Sequence, residues 1–358
     1  MTPYKLAIIG LGRMGSTIDE EVVGYPAVPR PFSVAASCGN VSDGLEPLFS
    51  GSSRFDLVAG ADLITEKRTA FSNRWGVAAV YGDFTRMIEE QAPDAVAICT
   101  KGENHAKLAT AVANAGVKMI YLEKAIACSM AEADQVRDAC VANGTLMNTG
   151  VMRRFNNRYA VVRDAIAAGR IGEPKAAVHY AASSLMHGHI HSMDTLSYLL
   201  GDPAITKVKG ELDLEKGGFE DKRLTYDPRG TYQMTFETDV DAWTVPAGQW
   251  EFEVLGTEGT IRSTNNGTGA DLRVSRGEAV KRPQWEAVPF EVPEGKSATV
   301  SCLEDLADAL EEGRAPIGNV EVTHHITEAC LAAAQSHIEG NRWVDVPGVD
   351  RDVYVWHV

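Results

Sequence analysis

Cysteine is scarce and scattered in this chain of 358 residues: six, at positions 38, 99, 128, 140, 302 and 330, with no CxxC pair among them. That spacing excludes a disulfide framework and the usual structural zinc patterns, so the cysteines are expected to be small buried hydrophobes and no metal is expected. Long apolar runs are missing too, and nothing approaches the ~20 residues that span a bilayer. A membrane protein is excluded on that count. Positive charge is in deficit, with 34 Lys and Arg against 49 Asp and Glu and a formal net charge of -15. Nucleic-acid backbones need clustered Lys and Arg, so nucleic acid is not an expected partner, whereas a neutral ligand meets no such objection. The first ten residues show no basic n-region, twin arginine or separate apolar segment, and the expected location is the cytoplasm. Internal repeats and low-complexity segments are also absent.

What is present is ordinary globular material, 44% hydrophobic and 23% charged, in a chain long enough for two domains with separate cores. The first 150 residues alternate strand and helix patterns. Apolar β-rich runs at 4–9, 55–59, 78–81, 94–100 and 117–122 are separated by helical patterns at 65–75, 84–90 and 105–114, and another at 130–142 follows them. Parallel strands need crossovers, normally helices, so this alternation predicts a doubly wound parallel sheet. One stretch breaks it. Residues 19–54 contain Pro26, Pro29 and Pro31 and polar, glycine-rich segments, which predicts a broken first helix followed by an inserted loop.

Beyond residue 150 the pattern changes. Helices are expected at 159–168 and 193–200, a strand at 176–182, and then strands without intervening helices at 206–212, 231–237, 251–255, 260–263 and 272–275. That order predicts a mainly antiparallel, open-faced sheet covered by helices on one side. Two closing helices, 302–312 and 322–340, are expected to pack on it or to return to the first domain. The expected division is residues 1–125 and 126–358.

Gly10-Leu-Gly12-Arg13-Met14-Gly15 follows a strand and opens a helical pattern. The first glycine suits a tight turn, the second lets backbone approach a pyrophosphate, and the third allows close packing of helix on strand, which is the dinucleotide-binding arrangement of a Rossmann domain. A carboxylate that reads the ribose is expected about 20 residues on, but position 38 is Cys. Asp62, at the end of the second strand and past the insertion, takes that part. There it accepts from a 2'-hydroxyl and repels a 2'-phosphate, favouring NAD over NADP; a helix N-cap is its other reading, and Lys67 and Arg68 a turn later keep NADP open.

From Tyr121-Leu-Glu123-Lys124 to Asp134 the chain resembles the glucose-fructose oxidoreductase, inositol dehydrogenase and MocA family, whose signature here is Glu-Lys-Pro before a helix; Ala125 replaces the proline. The resemblance extends through Gly10–Gly15, Ala61-Asp62, Val80–Asp83, Ile98–Thr100 with Asn104-His105, Arg154-Phe155, His191–Asp194, Leu200–Asp202 and from Phe290 onward. It implies a dehydrogenase or reductase moving hydride between NAD(P) and a hydroxyl or ketone of a sugar, sugar derivative or cyclitol. Lys124 then faces nicotinamide ribose and substrate from a strand end, Glu123 lies on the cofactor side, and Thr100 and His105 follow a neighbouring strand end, with Lys101-Gly102 where the family has Pro-Asn. His191 is the implied base. His187 stands where the family places an aspartate, so it contacts substrate itself or an acid from elsewhere supports His191.

Other residues keep two readings. Asp194 either orients His191 or caps its helix, and the HxHxH run 187–191 would put three imidazoles on one face if it were extended. Arg153 and Arg154 line the implied cleft or form a hinge salt bridge, Tyr180 and Ser183-Ser184 are hydroxyl partners or edge residues, and His324-His325 is a packing or subunit-contact pair. The family also implies a homo-oligomer, dimer or tetramer, built through the open sheet face. Two rival functions remain: redox-assisted lyase or glycosidase chemistry with NAD regenerated, and a non-catalytic NAD-binding regulator.

Overall fold

The computed structural model describes residues 2–40, 51–275 and 284–357. In chain order its helices and longer strands are β1 (Tyr4–Ile9), β2 (Phe55–Ala61), α1 (Thr65–Trp75), β3 (Val80–Tyr81), α2 (Phe84–Gln91), β4 (Ala95–Ile98), α3 (His105–Asn114), β5 (Met119–Leu122), α4 (Met130–Asn143) and β6 (Leu146–Thr149). There follow α5 (Asn157–Ala167), β7 (Pro174–Tyr180), β8 (Ser183–Ser184), α6 (Ile190–Leu200), β9 (Ile205–Asp213), β10 (Arg223–Leu224), β11 (Arg229–Phe236) and β12 (Asp241–Val245). The chain closes with β13 (Glu251–Gly256), β14 (Gly259–Thr264), β15 (Gly269–Ser275), β16 (Trp285–Val288), α7 (Ala298–Glu312), α8 (Val320–Ile338), β17 (Val344–Asp345) and β18 (Tyr354–Val355). Among the described residues no helix is long and apolar enough to cross a membrane.

Two compact units emerge, one of Met1–Ala127, Glu132–Phe155 and Lys296–His324, the other of Cys128–Ala131, Asn156–Gly295 and His325–Val358. The first holds a six-stranded parallel sheet in the order β3-β2-β1-β4-β5-β6, the strand order of a Rossmann domain. It continues past residue 125 through α4 and β6. Its core is the apolar sides of β1, β2 and β5, Leu6, Ile8, Phe55, Leu57, Met119 and Tyr121, closed by Cys302, Leu303 and Leu306 of α7. Helix α7 lies within this unit.

Among its described residues, the connection from β1 to β2 carries no long helix. A five-residue π turn, Arg13–Thr17, runs into a 3-10 turn, Ile18–Glu20, and prolines 26, 29 and 31 follow. Where a crossover helix would pack, Asp19 is buried and accepts the N–H groups of Phe32 (2.7 Å) and Ser33 (2.8 Å). Ser297 and Thr299, at the start of α7, donate to the carbonyls of Pro31 and Phe32. Of the insertion expected at 19–54, residues 41–50 lie outside the described residues.

The second unit carries the mixed sheet β16-β15-β14-β13-β7-β12-β11-β9-β17, with β8 on β11; its long pairings are antiparallel except β7 with β12. Along β13, and along β9 from Val208 to Leu212, every second residue is buried, as a sheet covered on one face requires. Strands β12 and β16 were not expected from the sequence. Both are short, and β12 carries Asp241 and Thr244 after a tight turn in which Asp239 adopts φ 59°. Along β9, α8 supplies the acceptors that a further strand would give: His325 for Ile205 N–H, Ser336 for Gly210 N–H and His337 for Leu212 N–H.

Candidate active site

The glycine loop is built by close approach. Gly10 adopts φ +94°, and a Cβ there would stand 2.6 Å from the Cys99 carbonyl oxygen; one on Gly15 would stand 2.1 Å from that of Gly10. Gly12 differs. A Cβ at Gly12 would meet only the Lys67 Nζ, at 3.8 Å, so the loop backbone is open on its outer side, the cradle that a pyrophosphate requires. The helix expected after this loop is only the π turn, so the backbone N–H groups, and not a long helix dipole, suit the site to an anion. Arg13 is exposed and its guanidinium pairs with Glu21 at 2.7 Å, a hydrogen bond that raises the pKa of the one and lowers that of the other. The Met14 carbonyl accepts from Val34 N–H at 2.8 Å and ties the loop to the insertion.

Asp62 directly follows β2 and touches that loop. One carboxylate oxygen accepts Leu11 N–H at 3.0 Å, the other Ile64 N–H at 2.9 Å, and the Lys67 ammonium lies 3.9 Å away. Arg68 instead donates to the Asp62 backbone carbonyl and to Thr65. A carboxylate has about four acceptor positions, so these contacts leave room for a further donor. Leu63, next in the chain, is 89% exposed.

At the ends of β4 and β5 the sequence-predicted residues gather. His105 is fully buried, its Nδ1 2.7 Å from the Ala125 carbonyl and its Nε2 3.1 Å from that of Thr100; burial lowers its pKa. It therefore lies between the Thr100 loop and the segment carrying Lys124, and its neutral ring donates to only one of the two carbonyls. The Lys124–Ala125 peptide is cis, at the place where the family has proline. Lys124 is 11% exposed, and its Nζ lies 3.9 Å from Glu123 Oε2, which also faces the Lys124 N–H at 3.4 Å. Glu123 Oε1 accepts the hydroxyl of buried Tyr121, a residue that the motif did not draw attention to. Arg153 and Arg154 sit in the 3-10 turn Met152–Phe155 of the same unit, Arg154 buried and Arg153 partly so.

In the second unit the three imidazoles of the HxHxH run part company. Residues 185–189 form a π turn that leads straight into α6, so the run is helical and the premise of one shared face is overturned. His187 is exposed, and its backbone N–H and that of Met186 are bound by Asp227 at 2.7 and 2.8 Å. Burial raises the pKa of Asp227, against the pull of these N–H donors. The sequence hint was its place in an Asp-Pro pair. His189 is a core residue: Nε2 lies 2.8 Å from the Gly230 carbonyl, Nδ1 3.1 Å from Ser192 Oγ, and burial lowers its pKa to about 4. His191 is half-buried in the first turn of α6.

Asp194 is not a helix cap. Because the π turn feeds α6 from Ile190, Asp194 falls inside the helix, buried and three residues after His191, the spacing that shares a helix face. Tyr180 goes elsewhere. Its strand neighbour His179 packs 5.9 Å from His189, whereas Tyr180, on the opposite face of β7, donates to Glu253 at 2.7 Å beneath the Arg262 guanidinium. Burial, with that carboxylate, pushes the phenol up to about 12. There it borders a concavity of about 290 Å³ on the open sheet face, lined by Glu251, Glu253, Thr260, Arg262, Thr264, Asp271 and Arg273. Of the late pair, His324 binds Asp134 at 2.8 Å and His325 caps β9.

Family models cover most of the chain. The model of the Gfo/Idh/MocA oxidoreductase family, NAD-binding Rossmann fold, matches residues 38–151, and that of its C-terminal alpha/beta domain matches residues 163–346. The inositol 2-dehydrogenase of Salmonella paratyphi B is 29% identical over 174 residues, 45% of this chain and 52% of that enzyme, so the chain spans about half the length of this curated relative. The scyllo-inositol 2-dehydrogenase (NAD(+)) of Bacillus subtilis is 27% identical over 305 residues, 79% of this chain and 87% of that one. A solved inositol dehydrogenase homolog from Azotobacter vinelandii, complexed with NADH and myo-inositol, superposes with a TM-score of 0.72 at 17% identity, covering 96% of this chain and 98% of that one. This chain belongs to the Gfo/Idh/MocA oxidoreductase family.

Proposed function

We propose that this chain is an NAD-dependent dehydrogenase of a cyclitol or sugar hydroxyl. The observation that carries the proposal is the Glu123-Lys124 pair at the end of β5, in the same parallel sheet as a glycine loop whose middle glycine is open. The substrate class draws its support from inositol dehydrogenases among the relatives.

NAD, when bound, would supply the hydride acceptor for the carbon being oxidised. Gly10–Gly15 would hold the pyrophosphate by backbone N–H groups, and Asp62 would accept from the adenosine ribose, which favours NAD over NADP. Lys124 donates to the reacting oxygen and stabilises the negative charge that develops on it, while His191 takes the hydroxyl proton. Asp194, on the face of α6 shared with His191, orients that imidazole. His187 and the arginines Arg153 and Arg154 serve as substrate contacts, and subunits associate through the open sheet face.

The test is NADH formation with myo-inositol, scyllo-inositol and a panel of aldoses, together with fluorescence titration of NAD and NADP. Lys124→Ala and His191→Ala should each bind NAD and lose at least a hundredfold in kcat. If both variants fold, bind NAD and oxidise substrate at the wild-type rate, the proposal is wrong.

A further inference from the structure

The residues around Glu123 form a closed set that the Glu-Lys motif does not explain. Tyr121 lies two positions earlier in the strand, on the same side of the chain, and donates its hydroxyl to Glu123 Oε1. The other oxygen, Oε2, faces Lys124, at 3.4 Å from its N–H and 3.9 Å from its Nζ. Each end of the carboxylate is thus assigned. Gly150, following β6, makes the space: a Cβ there would stand 2.7 Å from Glu123 Oε1 and 3.0 Å from the Tyr121 hydroxyl oxygen. Burial and the neighbouring Glu123 hold the phenol pKa far above its ordinary value, so Tyr121 keeps its proton and remains a donor.

We infer that Tyr121 is a positioning residue for Lys124, acting through Glu123: the phenol and the missing side chain of Gly150 fix one carboxylate rotamer, and that carboxylate fixes the ammonium. This rests on the reading of Lys124 as the group that meets the reacting oxygen. A lysine side chain has four rotatable bonds and holds no fixed direction unaided. An ångström of misplacement at a reacting centre costs up to a hundredfold in rate.

Tyr121→Phe keeps the buried ring and removes only the donor, whereas Gly150→Ala, at a residue without positive φ, crowds the same oxygen from the other side. Both should lower kcat about tenfold, with NAD affinity and substrate KM within about twofold of wild type. Acetylation of Lys124 in the cofactor-free protein, followed by peptide mass spectrometry, should become severalfold faster in both. The deciding measurement is the cycle with Glu123→Gln: if Tyr121 acts through Glu123, Tyr121→Phe adds nothing further to kcat or labelling in that background. An undiminished Tyr121→Phe effect on Glu123→Gln overturns the inference, as do wild-type kcat and labelling in both single variants. An active Lys124→Ala protein would overturn the functional proposal instead, while the labelling cycle, read without substrate, would still decide the anchoring. Should Tyr121→Phe fail to fold, Gly150→Ala in the same cycle takes its place.

Discussion

His189 makes the second unit sensitive to acid, by an amount that its surroundings define. Its Nε2 faces the Gly230 carbonyl, which only accepts, so in the neutral ring the proton sits on Nε2 and Nδ1 faces Ser192 Oγ. Tyr232 donates to the same hydroxyl at 3.0 Å and packs edge-on against the ring at 5.1 Å. A second proton would place a charge in this apolar setting, and desolvation lowers the pKa from 6.5 to about 4. The unfolded chain binds that proton more readily than the folded one. Stability from this group is therefore complete above pH 6.5, is lost as the pH falls from 6.5 towards 4, and levels off below.

At ~1.4 kcal/mol per pH unit, the whole interval is worth about 3 kcal/mol, and the part between pH ~7.5 and ~4.5 about 2.5 kcal/mol. Carboxylates titrate in the same range, so the quantity to measure is a difference. Urea unfolding of wild type and His189→Gln, followed by the fluorescence of Trp250, whose ring packs 4.9 Å from His179, should show the variant weaker at neutral pH. That deficit should shrink by about 2.5 kcal/mol at pH ~4.5, because Gln has no proton to gain. A deficit that stays constant with pH refutes the reasoning.

Asp62→Ala should weaken NAD about tenfold and strengthen NADP, since it removes an acceptor and releases Lys67 from an ion pair of 3.9 Å; titration of both nucleotides checks this, and unchanged NADP affinity contradicts it. Glu328 is buried and accepts from Gly348 N–H, Val349 N–H and Arg351. Glu328→Ala should cost about 3 kcal/mol, read as a lower Tm, with Glu328→Gln falling between it and wild type.

The parallel half of the fold was legible because its signals are local and redundant. Each buried strand is a short apolar run, each helix a periodic one, and glycines punctuate them, so α1 and α3 begin and end where the pattern places them. The second half was less so. Strand β12 pairs in parallel with β7 across some sixty residues of chain, and its five residues have no apolar run to announce them. At the candidate site, identity was legible and environment was not. Spacing alone cannot say that His189 is spent on Gly230 and Ser192, that Asp194 lies inside a helix, or that Tyr180 turns to the other face of its strand. Tyr121 had a sequence signal, a hydroxyl two residues before a buried carboxylate, but it gains meaning only when the strand is known to bury both.

The short helix after the glycine loop gives Asp62 a second part to play. In the usual arrangement a long helix after the third glycine both returns the chain to the sheet and holds the loop. Here the helix ends after one π turn, and the return path is held by Asp19 and by the first residues of α7. The loop itself still needs an anchor, and Leu11 N–H finds one in the Asp62 carboxylate. A carboxylate at this strand end is therefore required by the loop before any nucleotide arrives. Under the proposed function the same charge would also face the ribose, with Lys67 beside it tempering the repulsion of a 2'-phosphate. Under the proposed function, nucleotide preference would be coupled to loop geometry through one side chain, so that a change at Asp62 would also loosen the loop.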